Sequence, residues 1–315
     1  MNITKYFTVL FCVIGVCLAV ISGAVVVKYA FPAVDVADRG ELDTPPKDRI
    51  NVLLLGLDMD ESRTDSIMIA SLDTVNDTLS VLSIPRDTRI NAGKGLDKIT
   101  HVYGYTAKEQ ATISAVKNLT GIPIHHYVIV DYSAFREAID ALDGVYIDVP
   151  HAPSRDSAGR RGMYYNDPEQ NLYIALAEGY QLLDGKNSEH FVRFRYGYPT
   201  GDEGRINAQQ YFLKELIKQK FQLKYFNRAT ELYRIVSKNV DTSLSIGDVL
   251  PYLMTLKNID TENIQTFQLP GYATDASTIY GVLSCYLYNE TETAELMREH
   301  FMSSTQSSTQ ADNPQ

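Results

Sequence analysis

Eight side chains in this sequence have the types and spacing to hold an anion beside a hard cation: Asp58, Asp65, Arg86, Lys98, Arg193, Arg195, Arg205 and Gln209. Asp58 and Asp65 carry carboxylate oxygens that can converge on Mg²⁺ or Mn²⁺. The plainer alternative is a pair of turn and capping residues. Arg86 follows Ile84-Pro85, where proline ends a strand ladder and points the arginine from the same edge as Asp58. A salt bridge from Arg86 to one of those aspartates is the competing reading, and it does not exclude function. Lys98 is either a phosphate ligand or a solvated loop lysine. Arg193 and Arg195 alternate with aromatics, so an extended segment would project both to one side. Arg205 and Gln209 are four apart on a helix that starts near Gly204, hence on one face. A helix N-terminus beside three forked guanidinium groups suits a phosphate. The competing reading is a surface network in which Asp202, Glu203 and Glu189 pair the arginines.

The elements that must position these residues show in the hydrophobic pattern. Ile50–Leu57 is a continuous apolar run that reads as a buried strand. Strands follow over Ser66–Leu72 and Thr78–Ile84, joined as a hairpin through Asn76-Asp77. Helical spacing over Thr106–Leu119 begins with Thr106 and Glu109, a capping box. Tyr127–Val130 reads as a short strand, Tyr132–Leu142 as a helix ended by Asp143-Gly144, and Val145–Val149 as a strand ended by Pro150. Residues 152–170 read as a long loop. Helices are expected from Ile206 to about Tyr225 and from Arg228 to Lys238. This alternation plus a hairpin predicts a mixed sheet with helices on both faces.

Several patterns carry no site. His125-His126 has no spaced acidic or cysteine partner and reads as core or strand edge. Gly93-Lys94-Gly95 lacks the phosphate-loop spacing, and no Gly-x-Ser-x-Gly elbow exists.

The chain is acidic, with a formal net charge of −10, which argues against a nucleic-acid surface. An arginine cluster in such a chain needs a local reason, and a bound anion supplies one. From Tyr6 to Val27 there is no charge, long enough to cross about 30 Å of hydrocarbon as a helix. A cleaved signal peptide is the alternative; the apolar stretch continues past its small residues, which favours an uncleaved anchor. Residues 1–5 are then a short cytoplasmic end, 6–31 a transmembrane helix, 32–48 a stalk, 49–302 one extracytoplasmic domain and 303–315 a disordered tail. Cys285 is the only cysteine outside the anchor, so that domain holds no internal disulfide.

Seven segments together resemble the LytR-CpsA-Psr (LCP) family of bacterial cell-envelope proteins. They are Asn51 to Asp58, Arg63-Thr64-Asp65-Ser66, Leu82 to Thr88, Asp97-Lys98-Ile99-Thr100-His101, Asp143 to Pro150, Leu182-Leu183-Asp184-Gly185, and Arg193-Phe194-Arg195 through Gly201-Asp202-Glu203-Gly204-Arg205 to Gln209-Gln210. The resemblance implies an LCP-type three-layer α-β-α sandwich around a mixed β-sheet, of the α/β class, on one N-terminal transmembrane helix. It implies a phosphotransferase that moves a glycopolymer, such as teichoic acid or capsule, from an undecaprenyl pyrophosphate carrier to peptidoglycan with Mg²⁺. Carried over residue by residue, Asp58 and Asp65 would lie at the metal. Arg86, Arg193, Arg195, Arg205 and Gln209 would hold the pyrophosphate with Lys98 nearby; Asp58, Asp65, Arg86 and Arg205 would be catalytic. Two positions depart from the family pattern. Ala208 stands where arginine is common, which puts one phosphate contact in question, and Asp143 stands where glycine is common. An apolar groove for the lipid tail would be walled by the helices over 106–119 and 207–225, where plain core is the alternative. Two rival functions remain: a lipid-pyrophosphate hydrolase using the same site, and a non-catalytic glycopolymer-binding or regulatory surface protein.

Overall fold

Strand β1 (Arg49–Leu57) is the apolar run expected, and it pairs antiparallel with β2 (Thr64–Asp73), itself antiparallel to β3 (Thr78–Ile84). The turn between β2 and β3 is pinned by Asp73, whose Oδ1 accepts the backbone N–H groups of Val75 and Asn76 at 2.9 Å. These coordinates are a computed structural model. It describes residues 42–302 apart from 47, 94, 151–155, 157, 169–171, 196–197, 199–201, 221–239, 245–258 and 260–262. The expected anchor over 6–31, the helix over 228–238 and the tail over 303–315 lie outside the described residues. Among the described residues no helix is long and apolar enough to cross a membrane.

Further along come β4 (Arg89–Asn91), β5 (Leu96–Lys98), the short α1 (Ile99–Val102), α2 (Lys108–Thr120), β6 (His126–Val130), α3 (Tyr132–Ala141) and β7 (Val145–Val149). Next are the hairpin β8 (Gly162–Asp167) and β9 (Leu172–Ala177), then β10 (Gly179–Leu183), α4 (Gly185–Arg193) and α5 (Asp202–Lys220). The last elements are β11 (Val240–Thr242), β12 (Ile264–Gln268), the hairpin β13 (Gly271–Thr278) and β14 (Gly281–Tyr288), and α6 (Glu290–His300).

These elements form two compact units, one built from 42–131 with the chain from Asp241 onward, the other from Tyr132–Val240. The sheet unit holds a six-stranded sheet in the order β11-β6-β1-β2-β3-β12. It is mixed, as expected: β1 runs parallel to β6, and β3 parallel to β12. Leu53, Leu55, Ile67, Ile69 and Leu82 are fully buried in one core with Ile113 and Val116 of α2 and with Met297 and Phe301. At about 25 cal/mol per Å² of apolar surface removed from water, that core dominates the favourable side of folding. The end of the expected stalk docks on this unit: Asp43 takes a backbone bond from its own N–H to Ile124 (3.0 Å) and an ion pair from Lys117 (2.7 Å).

The helical unit packs α3, α4 and α5 with β7–β10 and β8–β9 ribbons around Phe191, Phe194, Ile147, Met163 and Leu183. Asp184 caps α4 by accepting the N–H of Asn187 at 2.7 Å. A Cβ on Gly185 would lie 2.2 Å from the carbonyl oxygen of Arg136, so only glycine lets α4 approach α3 here.

Three local expectations are overturned. Thr106 does not cap a helix: α2 starts at Lys108 after Ala107, with no side-chain cap bond. Consecutive turns from α1, including Tyr105 N–H to the Val102 carbonyl and Lys108 N–H to the Tyr105 carbonyl, carry the chain past Thr106 before the helix begins. The region 152–170 is not all loop, because Gly162–Asp167 finds a strand partner in Leu172–Ala177. Arg193 is the last residue of α4 and not part of an extended run; the chain becomes extended only at Phe194.

Candidate active site

In the sheet unit, topology collects three of the predicted residues at one end of the sheet. Leu57, the last residue of β1, pairs with Thr64, and Ile67 of β2 pairs with Ile84, the last residue of β3. Asp58 therefore follows β1, Asp65 lies at the head of β2, and Arg86 stands two residues beyond β3, all at that end. Arg86 Nη1 forms an ion pair with Asp65 Oδ1, both side chains partly exposed. Thr100 buttresses this corner: its N–H donates to the Arg86 carbonyl at 3.1 Å and its hydroxyl to the Thr64 carbonyl at 2.7 Å. Lys98 places its Nζ 2.8 Å from Asp87, the residue after Arg86.

Asp58 is more occupied with its own loop. Its Oδ1 accepts the N–H groups of Ser62 (2.9 Å) and Arg63 (3.2 Å), and its own N–H donates to the Arg63 carbonyl (3.0 Å). Both the capping role and the ligand role expected of it are chemically open, since a carboxylate has about four lone-pair sites. Asp58 and Asp65 fit Mg²⁺ in donor type. This cation commonly takes one or two carboxylates and completes its shell with water and substrate phosphate. Among the described residues no three His, Cys, Asp or Glu side chains group into an all-protein cage.

The helical unit holds Arg193, Arg195, Arg205 and Gln209. Buried Glu189 takes Arg193 at 2.7 Å through Oε1 and Arg136 at 2.6 Å through Oε2. The guanidinium of Arg193 also sits 4.5 Å over the ring of Tyr132, a cation–π contact. Arg205 is buried and pairs with Asp202 at 2.9 Å one turn earlier. Gln209, on the same face of α5, donates to the Val192 carbonyl at 3.1 Å and ties α5 to α4. Gly204 lets this corner close: a Cβ there would lie 2.4 Å from the ring of Tyr198. Burial pushes the Tyr198 hydroxyl above the usual phenol range.

The competing sequence reading named Asp202, Glu203 and Glu189 as arginine partners, and Glu189 and Asp202 take that role. Sequence reasoning missed Arg136 and Tyr132, which reach the cluster from α3 and have no sequence signal toward it. It also missed Asp97, a fully buried carboxylate on β5. A cavity of about 400 Å³ lies beside α2, lined by Ala115, Leu119, Asn118, Ile90, Asn91 and Tyr288. It is bordered by both apolar and amide side chains.

The model of the LytR_cpsA_psr family matches residues 28–301. The chain belongs to that family. It is 31% identical over 245 residues to a polyisoprenyl-teichoic acid–peptidoglycan teichoic acid transferase TagU from Oceanobacillus iheyensis, covering 75% of this chain and 70% of that one. The TagU of Bacillus subtilis is 26% identical over 245 residues, 76% of this chain and 74% of that protein. Among solved structures, B. subtilis TagV superposes with a TM-score of 0.65 at 25% identity, covering 81% of this chain and 98% of the other. TagT bound to LIIa-WTA superposes with a TM-score of 0.63 at 23% identity, over 85% and 92% of the two chains; that likeness speaks for the LCP fold alone.

Proposed function

We propose that this protein is a phosphotransferase that moves a teichoic-acid-type glycopolymer from a polyprenyl pyrophosphate carrier onto peptidoglycan. The observation that carries the reading is the family match over 28–301 together with the TagU relative, whose name states that activity. The acid-paired arginines agree with it. A wall hydroxyl attacks the phosphorus that bears the sugar, and polyprenyl phosphate departs, so catalysis is mostly positioning and charge stabilisation.

In this proposal Arg86, Lys98, Arg193, Arg195, Arg205 and Gln209 bind the pyrophosphate; Arg86 and Arg205 are catalytic, and Arg205 meets the charge that grows on the bridging oxygen. Each carboxylate partner fixes the plane of a guanidinium before substrate arrives, which lowers the cost of ordering it. Asp58 and Asp65 would hold Mg²⁺ or Mn²⁺, whose charge would spread over the phosphate oxygens. Residues 6–31 are proposed as the single membrane anchor, which leaves the catalytic domain, with the three-layer sandwich of the family, outside the cell membrane. Protease shaving of wall-less cells tests that topology: survival of the domain until lysis would overturn it.

The deciding experiment incubates the purified domain with a synthetic polyprenyl-pyrophosphate saccharide and peptidoglycan fragments. A sugar–phosphate–wall adduct is the expected result. Free sugar phosphate means a hydrolase, and intact substrate that is bound but unprocessed means a binding protein. Calorimetry with that lipid present should show Mg²⁺ binding lost in Asp65→Ala; unchanged affinity in both Asp58→Ala and Asp65→Ala places the cation elsewhere.

A further inference from the structure

Beside the Asp65–Arg86 corner, the sheet unit holds a second group of polar side chains that the phosphate chemistry does not use. Its centre is Asp97 on β5, which has no exposed surface. Its Oδ1 meets His101 Nδ1 at 2.7 Å and the Lys98 N–H at 2.7 Å, and its Oδ2 accepts the Tyr105 hydroxyl at 2.8 Å. A buried carboxylate with three such partners orients what it touches. The same hydrogen bond and burial push the Tyr105 hydroxyl up to about 12, burial being the larger cause, so Tyr105 remains a donor.

His101 has the opposite exposure. Its side chain is 24% exposed where Asp97 is sealed. With Nδ1–H committed to the carboxylate, the neutral ring carries its lone pair on Nε2, and among the described residues nothing hydrogen-bonds that atom. The ring stands nearly perpendicular to that of Tyr280, at the tip of the β13–β14 hairpin, 5.8 Å between centroids. His101 also follows Thr100, the residue bonded to both the Arg86 and Thr64 carbonyls. The imidazole is thus anchored to the strand ends that carry Asp65 and Arg86, with one nitrogen held and the other open.

We propose that His101, oriented by Asp97, is the general base of the transfer reaction; the inference rests on the transferase reading above. The wall hydroxyl oxygen forms a bond to the phosphorus that carries the sugar, and its proton passes to His101 Nε2. The bond from that phosphorus to the bridging oxygen breaks, and its electron pair leaves with polyprenyl phosphate. The imidazolium, stabilised by Asp97, then returns the proton to water. Asp97 is a positioning residue: it holds the tautomer and the ring plane and touches no reacting atom. The elements packed on α1 also carry charged groups, among them Lys98 on β5, Asp65 on β2, and Lys108 and Glu109 at the start of α2.

The test compares wild type, His101→Gln, His101→Ala and Asp97→Asn in the adduct assay with polyprenyl-pyrophosphate saccharide. His101→Gln should lower kcat by about 10²–10⁴, with lipid affinity and melting temperature unchanged. The rise of wild-type kcat from acid toward neutral pH should vanish in that variant, and added imidazole should restore part of the rate to His101→Ala. Asp97→Asn, which leaves the ring in place but favours the wrong tautomer, should lower kcat by a smaller factor without raising KM. A His101→Gln enzyme with wild-type kcat and an unaltered pH profile overturns the proposal while leaving the transferase reading standing. A loss explained wholly by weaker lipid binding, with no rescue by imidazole, overturns it too. Failure of wild type to form any adduct overturns both.

Discussion

The two units hold their proposed phosphate cations in contrasting ways. In the sheet unit, Arg86 and Lys98 pair with Asp65 and Asp87 at partly exposed positions on strand ends. In the helical unit, Glu189 is 4% exposed and shared by two arginines, and Arg205 is 8% exposed against Asp202. An ion pair near water can trade its carboxylate for a phosphate at little cost, because solvent screens both states. A buried carboxylate stripped of its cation is left uncompensated in a low-dielectric setting. The sheet unit therefore carries cations ready for exchange, and the helical unit carries cations that also hold its own helices together.

The largest test of this contrast removes the acids. Glu189→Ala strands two arginines and should cost about 3–5 kcal/mol in urea unfolding, with hydrogen exchange accelerated first in α3 and α4. Asp65→Ala should stay within about 1 kcal/mol. Equal losses would erase the distinction. Next come the cations themselves. Arg86→Ala and Arg205→Ala should each lower turnover by about 10²–10³. Arg205→Lys should recover only part of it, since a point charge cannot reproduce a bidentate fork. If Arg205→Ala melts early yet transfers polymer at the wild-type rate, Arg205 is a structural residue and not a ligand.

Acid titration sharpens the comparison, because both units bury histidines, His125 and His126 in the sheet unit and His190 in the helical unit. Burial, then the neighbouring His126, lowers His125 in the sheet unit to about 4. Its Nδ1 accepts the Asn51 N–H at 2.8 Å, which protonation at that nitrogen would turn into a donor facing a donor. His190 in the helical unit is also lowered, chiefly by burial. The unfolded chain binds protons more readily than these folded sites, so stability is complete above the unfolded histidine value near 6.5 and falls as pH drops below it. For His125 the loss should be complete near pH 4. Thermal melts from pH 7 to 4 should show that slope, reduced in His125→Gln; a flat profile rules out buried neutral histidines. The smallest effects concern helix starts. Asp184→Ala should cost about 1 kcal/mol and Thr106→Ala almost nothing, because of these two only Asp184 caps a helix.

Much of the site could be read from one dimension. The apolar run of β1 and the strands read over Ser66–Leu72 and Thr78–Ile84, with the hairpin between β2 and β3, put Asp58, Asp65 and Arg86 at one sheet end. Likewise the four-residue spacing Arg205–Gln209 is a property of helix geometry that needs no partner element. What escaped was set by contacts between residues distant in sequence. Strand β12, with mostly exposed or half-buried residues, is a strand because β3 offers it a parallel edge. Gly162–Asp167 is one because Leu172–Ala177 pairs with it, and Arg193 is helical because α4 continues one turn further than the aromatic alternation suggests. Asp97 and His101 show the limit most plainly. Their spacing along the chain permits a contact, but the complete burial of the carboxylate and the partial exposure of the imidazole come from the packing of β5, α1 and the β13–β14 hairpin. Residue types and local periodicity thus specified which groups were available, and only the fold's long-range pairings set the solvation of each one, on which its chemistry depends.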